Sequence, residues 1–404
     1  MPVMKYIILL GDGMADYPLA ELGGRTPLEA ANKPNIDGLA RSGFGGRLQT
    51  IPDGMGAGSD VANLSILGYD PAVYYTGRGP LEAASMGVKL DAGEVAFRCN
   101  FITEKDGRIT DYSAGHITST ETEPLIKFLN ENNDFGRFYR GVSYRNLFVT
   151  DMGAELITTP PHDVMEGSVS EHLIKPLDDS SAARLNKMIL DSKSVLESHP
   201  VNKRRAAEGK NPANMIWLWG QGRAPSIKPF HMRYGVKGAV ISAVDLIKGI
   251  GIYAGMEIVE VPNATGLIDT NWEGKAEAAL KALETVDLVY VHVEAIDEAA
   301  HAGDLSLKIQ AIEEFDRRLV GPLLEGVDFD CKIAVLPDHF TPIALKTHTA
   351  DPVPFIVSTV GGKGVVGEGE GIKSYSEKEV TSERSLGIMP GHKFMELFLE
   401  DSST

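Results

Sequence analysis

The chain has 404 residues, 43% of them hydrophobic and 24% charged, with a formal net charge of −17 at pH 7. That is ordinary globular composition with material for two domains rather than one. The acidic balance argues against a nucleic-acid backbone or an anionic membrane surface as partner, and leaves a small anionic ligand only where cations or metals gather locally.

No stretch approaches the roughly 20 apolar residues of a membrane span, and the first apolar run is too short for a signal peptide, so a cytoplasmic protein is expected. "YIILLGDG" (6–13) reads as a strand that ends at Asp12. In "GAGSDVANLSILGYDP" (56–71) a Gly- and Ala-rich loop delivers Ser59 to the start of a short apolar-periodic segment that closes at Gly68. A helix N-terminus of that kind presents a nucleophile or holds a phosphate. "VAFRCNFITEKDGRITDYSAG" (95–115) is two alternating runs around "EKDG", a hairpin signal, and "NLFVTDMGAELITTPPHD" (146–163) repeats that style. "SAARLNKMILDSKSVLESH" (181–199) reads as a helix.

Strand-like runs then recur at 238–244, 287–297, 331–339 and 353–359, with helical patterns at 271–286 and 305–325 between them. Strand, helix, strand predicts an α/β fold, a mainly parallel sheet with helices on both faces. Residues 96–220 are expected to form an α+β module inserted into a domain built from 1–95 and 221–404, with "GRGP" (77–80) and "GQGRAPS" (220–226) near the crossings. Cys99 and Cys331 sit in apolar runs and are expected as buried thiols in a reducing compartment. "GGKGVVGEGEG" (361–371) reads as a flexible loop and lacks the ending of a P-loop.

Acidic and imidazole residues fall at the ends of the predicted strands, where open α/β sheets place ligands. Asp12 follows the first. "DEAAH" sets Asp297 and His301 four apart, on one face of a helix. "PDH" supplies Asp338 and His339, and His348 follows in "KTHTADPVPF". This set suits two divalent ions with mixed oxygen and nitrogen ligands, Mn²⁺ or Zn²⁺. Two metals about 4 Å apart clamp the oxygens of phosphoryl transfer and lower the pKa of a coordinated hydroxyl, so a metal rather than a histidine base would activate Ser59. Plainer readings stand beside these. "GDG" is also a turn, Ser59 with Asp60 an N-cap, and Asp297 with His301 a solvated helical pair. Each other histidine, His292 included, reads as a surface or satisfied core residue. The joint placement at strand ends favours the metal reading.

Together "GDGMAD", "GSDVANLSILGYDP", "GRGPLEAASMGV", "DEAAH", "PDH" and "HTADPVPF" resemble the archaeal-type, cofactor-independent phosphoglycerate mutases of the alkaline phosphatase superfamily, over nearly the whole chain. The resemblance implies an alkaline phosphatase-like core and Ser59 as a nucleophile that becomes phosphoserine. It implies that Asp12, Asp338 and His339 hold one metal beside Ser59, and that Asp297, His301 and His348 hold the other. It implies interconversion of 3- and 2-phosphoglycerate, a small phosphorylated metabolite, without 2,3-bisphosphoglycerate. The inserted module would then be a cap that holds the glycerate while it reorients.

Arg78 in "GRGP" and Lys248 in "AVDLIKG" are the cations expected near the phosphate, Arg78 by bidentate pairing. As plainer readings, Arg78 packs its loop and Lys248 is a solvated helix residue. The chain departs from the family at "DYSAGH" (111–116) and "WLWGQG" (217–222), where arginines are expected. Loss of guanidinium groups weakens recognition of a substrate with both carboxylate and phosphate, and His116 and Arg223 are the nearest substitutes. These departures resemble a sub-branch with a proposed homoserine kinase-like activity. A metal-dependent phosphomonoesterase, or a silent relative that only binds a phosphorylated metabolite, are the further alternatives.

Overall fold

The computed structural model describes residues 4–361, 364–365 and 371–400. The chain forms two compact units, Met1–Tyr75 with Ser226–Thr404, and Thr76–Pro225. Much of the glycine-rich tract 361–371, read above as a flexible loop, lies outside the described residues.

The first unit is built on a sheet whose strand order is Ile388–Pro390, Phe44–Gln49, Val353–Gly361, Cys331–Leu336, Lys5–Gly11, Leu288–Val293, Gly238–Ile241, Glu257–Ile258. Neighbours along this path run parallel except at Val353–Gly361, which is antiparallel to both strands beside it. The strand period of two sends Ile7, Leu9, Val289, Val291, Ile333 and Val335 into one core with helices Pro34–Ser42, Trp272–Ala282 and Leu305–Glu314. Alternate residues face the other way. The Tyr6 ring meets Phe398 of helix Phe394–Leu399 at 5.5 Å, and Tyr290 donates to Asn63 of helix Ser59–Ile66 at 2.5 Å. A strand covered on both faces needs apolar residues at every position, which is why these segments read as unbroken runs.

The predicted helix over 305–325 is interrupted. Leu305–Glu314 passes into a π-helical turn, Phe315–Val320, and then Gly321–Gly326. Pro322 lacks an N–H and its ring would crowd an α-helical carbonyl, and a wider turn relieves both. Asp316 in that turn accepts from the Ile36 amide at 2.7 Å and from Asn35 Nδ2 at 2.9 Å, fixing the start of helix Pro34–Ser42.

In the second unit Val95–Lys105 pairs with Arg108–Asp111, Arg145–Thr150 and Met215–Arg223, and Arg145–Thr150 with Arg137–Val142. Asp106 and Gly107, at φ 51° and 79°, make the "EKDG" turn, the left-handed pair that suits a two-residue hairpin. The second hairpin differs from expectation. Arg145–Thr150 turns back on Arg137–Val142 rather than forward into 151–163, where Pro160 and Pro161 cannot donate to a ladder and a 3-10 turn forms at Pro161–Val164. Helices Ser119–Glu131 and Ser180–Glu197 complete an α+β layer. Helix Arg78–Ser85 also belongs here, packed on Val95–Lys105 and Met215–Arg223. A Cβ at Gly79 would stand 2.2 Å from the Ala96 carbonyl oxygen, so glycine permits that approach.

Candidate active site

The nominated acids and imidazoles gather at the carboxyl ends of the central strands of the first unit. Asp12 follows Lys5–Gly11, Asp338 and His339 follow Cys331–Leu336, and Asp297 and His301 lie one turn apart on helix Ala295–Ala302. Ser59 is the first residue of helix Ser59–Ile66, and its side chain does not cap that helix. Its Oγ instead lies 3.1 Å from His339 Nε2.

Asp12, Asp338 and His339 offer ligand atoms that lie within 4.8 Å of one another, and so do Asp297, His339 and His348. His301 Nε2 stands 3.1 Å from Asp297 Oδ2 and 2.9 Å from His348 Nε2. Asp297 is only 4% exposed, which rules out a solvated helical pair. Gly13 has φ +59°, and a Cβ there would sit 2.4 Å from Asp297 Oδ1. The "GDG" turn is therefore glycine because the cluster leaves no room for a side chain.

The electrostatics ask for cations. Burial, and then the nearby Asp338 and Asp297 carboxylates, push Asp12 well above the usual carboxylate range. Burial also opposes ionisation of Asp297, but hydrogen bonds from His301 and His348 hold it well below that range. Asp338 is likewise lowered against its burial, by His339 and His292. Asp12 Oδ1 is buried with no hydrogen-bond partner, a costly state for an acceptor. Buried carboxylate oxygens mixed with imidazole nitrogens fit borderline divalent ions such as Zn²⁺ or Mn²⁺.

Several supporting residues belong to no motif in the sequence. His292, taken as a surface or core histidine, is buried, and its Nε2 lies 3.0 Å from Asp12 Oδ2. Burial pushes it down to about 3, so the ring is neutral. Asn63 Nδ2 donates to Asp338 Oδ2 at 2.9 Å. Thr341 Oγ1 donates to Asp297 Oδ1 at 2.5 Å and lies 3.2 Å from His339 Nδ1. Lys308, fully buried, pairs with Asp16 at 2.8 Å and donates to the carbonyls of Ala15 and Thr341. It ties the loop after Asp12 to the loop after His339. Partners of this kind orient ligands and tune their basicity. A polar residue stranded inside an apolar run, as His292 is in "LVYVHV", was the available signal. Lys248 Nζ is engaged by both carboxylate oxygens of Glu260 at 2.8 Å.

The other nominated cations belong to the second unit. Arg223 is more than half exposed and 3.6 Å from Glu155, and the His116 ring lies 6.1 Å from that of Tyr144. Arg78 Nε meets Glu82 Oε1 at 2.9 Å, and so does Arg98 Nη1. Both guanidinium groups lie over Trp219, at 5.7 and 4.6 Å from the ring centroid. Arg98 is 4% exposed and its Nε is buried without a partner. Burial pushes Arg98 down to about 10, and the Arg78 and Arg145 charges press the same way against the pull of Glu82. Three arginines thus share one carboxylate. His162 stands 5.4 Å from the Trp219 ring and 6.0 Å from Tyr112, so one residue of "WLWGQG" and one of "DYSAGH" meet through its ring beside the arginines. Arg98 was visible in "VAFRCNF" only as a charge in an otherwise buried strand.

A family model described as 2,3-bisphosphoglycerate-independent phosphoglycerate mutase matches residues 40–202. The chain is 52% identical to the enzyme of that name from Methanothrix thermoacetophila, over 98% of this chain and 100% of the relative. It is 54% identical to 2,3-bisphosphoglycerate-independent phosphoglycerate mutase 2 of Methanothermobacter thermautotrophicus, over 100% and 99%. Among solved structures it is similar to a Pyrococcus horikoshii protein, at 32% identity and a TM-score of 0.82 over 100% of both chains. It is also similar to the cofactor-independent phosphoglycerate mutase of Thermoplasma acidophilum, at 30% identity and a TM-score of 0.63 over 98% and 99%. On these grounds the chain belongs to the 2,3-bisphosphoglycerate-independent phosphoglycerate mutase family.

Proposed function

We propose that the protein is a cytoplasmic phosphoglycerate mutase that interconverts 3- and 2-phosphoglycerate through a phosphoserine at Ser59, needing no bisphosphoglycerate. The observation that carries this reading is Ser59 Oγ at 3.1 Å from His339, inside a buried cluster of carboxylates and imidazoles. In this reading Asp12, Ser59, Asp338 and His339 hold one divalent ion, and Asp297, His301 and His348 hold a second, either Mn²⁺ or Zn²⁺. Such ions would supply Lewis acidity, which lowers the pKa of the Ser59 hydroxyl and offsets charge on the transferred phosphoryl group.

The chain's own groups do the rest. Ser59 Oγ gives up its proton and bonds to phosphorus as the bond to the substrate oxygen breaks, and that oxygen takes up a proton to become the free hydroxyl. The first amides of helix Ser59–Ile66, those of Ser59 and Asp60, are the ones left for the phosphoryl oxygens. The glycerate turns, its other hydroxyl takes the phosphoryl group back, and Ser59 is freed. The second unit is the cap in this scheme. In this reading Arg78 binds the substrate's phosphate by charge-assisted bonds, with Arg98 and Arg145 beside it, and His116, Arg223 and Lys248 are the further substrate-binding candidates, Lys248 once released from Glu260. Full-length similarity to relatives named as phosphoglycerate mutases supports a phosphoglycerate substrate over homoserine.

Phosphorus NMR of 3-phosphoglycerate with Mn²⁺-loaded protein tests the proposal. The expected result is 2-phosphoglycerate, formed without added bisphosphoglycerate and abolished by chelator. Release of inorganic phosphate alone, or no reaction, would refute it.

A further inference from the structure

The first unit contains a cavity of about 560 Å³ whose lining includes none of the residues assigned above to the metals or to Ser59. Three cations line it: Arg25, Arg47 and Lys378. Arg47 is half-buried on strand Phe44–Gln49, and its Nε is buried with no hydrogen-bond partner. Arg25 lines the cavity as an exposed side chain, and its Nε donates to the Leu22 carbonyl at 3.2 Å.

The cavity's carboxylates, by contrast, are already committed. Glu29 accepts from the Thr26 amide at 2.9 Å, and Asp351 from the Tyr17 hydroxyl at 2.7 Å. Glu377 accepts from the Thr26 hydroxyl at 2.7 Å and from the Asp16 amide at 3.0 Å, and Asp16 is paired with Lys308. A guanidinium with a desolvated, unmatched donor is costly unless a counter-charge nearby offsets it. Among the described residues none of these acids forms an ion pair with Arg25, Arg47 or Lys378, because each is turned to a hydroxyl, an amide or the buried lysine.

We propose that this cavity is a second anion site, separate from the metal cluster, that takes a small metabolite carrying a phosphate group beside an apolar body. The guanidinium forks of Arg25 and Arg47 match a phosphate's paired oxygens, and Lys378 adds a point charge. Tyr17 and Phe340, with ring centroids 5.7 Å apart, supply an aromatic wall. Phe340 follows His339 in the chain, so a bound ligand touches the loop that carries that histidine.

The test uses inorganic phosphate as the probe. Equilibrium dialysis of radiolabelled phosphate against metal-loaded wild-type protein counts the ions bound per chain, and the count is repeated with Arg47→Leu and with Arg25→Ala/Lys378→Ala. The second variant changes only exposed side chains, so it guards against a fold defect in the first. The expected result is one phosphate fewer per chain in both variants, or binding at that site weakened at least tenfold, with basal turnover unchanged. The same count in wild type and both variants would overturn the proposal. Because the readout is a difference in count, it stands whether or not Ser59 proves to be the nucleophile.

Discussion

Thr341→Val isolates the hydroxyl that joins Asp297, on helix Ala295–Ala302, to His339. Thr341 is fully buried, so water cannot replace its Oγ1, which donates to Asp297 Oδ1 at 2.5 Å and touches His339 Nδ1 at 3.2 Å. Valine keeps the shape and removes the donor. A hydrogen bond to a charged group contributes about 1.5–3 kcal/mol, which is roughly ten- to a hundredfold in affinity if the loss falls on the ion that Asp297 would hold. Changes in such partners of metal ligands commonly cost that much. The assay is turnover against free Mn²⁺ in a chelator buffer. The midpoint is expected to rise about tenfold or more, while the rate at saturating metal falls by much less. An unchanged midpoint would refute the claim that Thr341 positions Asp297.

Two further outcomes are expected. Arg98→Lys keeps the charge beside Glu82 but loses the planar fork and the stacking on Trp219. KM for 3-phosphoglycerate should rise roughly tenfold, as for loss of one charge-assisted contact, with little change in kcat or melting temperature, and an unchanged KM would remove the arginine basin from substrate binding. Burial pushes Glu377 up to about 7 from the usual 4.5, so its ionisation is harder in the folded chain than in the unfolded one. Wild type should therefore lose stability relative to Glu377→Gln as pH rises from 4.5 through about 7, by up to about 3 kcal/mol, and hold a constant gap above that. Denaturant titrations with parallel pH profiles for the two proteins would contradict this.

Much of this was legible because strand ends are marked in the sequence. Apolar runs that stop at Asp or His gave the central strands and the residues Asp12, Asp297, Asp338 and His339 together, since a parallel sheet buries every strand position and presents polar groups only at its carboxyl edge. Phe44–Gln49, which carries two glycines and an arginine, and the three-residue edge strand Ile388–Pro390 have no such run and were not seen. The partner strand of the second hairpin was misplaced because alternation alone does not say in which direction a strand turns back. Helix Arg78–Ser85 was assigned by sequence position to the larger domain, whereas its packing on Val95–Lys105 depends on contacts that glycine at position 79 allows. His292, Thr341, Lys308 and Arg98 escaped because their partners lie far away in sequence. Only the fold shows that an isolated polar residue in a buried run meets Asp12, Asp297, Asp16 or Glu82.

The most direct test of the account is to locate the phosphoryl group during turnover. Metal-loaded protein mixed with 3-phosphoglycerate is quenched in acid, digested and mapped by mass spectrometry, beside Ser59→Ala protein of equal metal content. The account predicts a phosphorylated peptide containing Ser59 in the wild type, and neither phosphopeptide nor 2-phosphoglycerate in the variant. Interconversion of the two isomers by Ser59→Ala at the wild-type rate, or phosphate on a different residue, would contradict it.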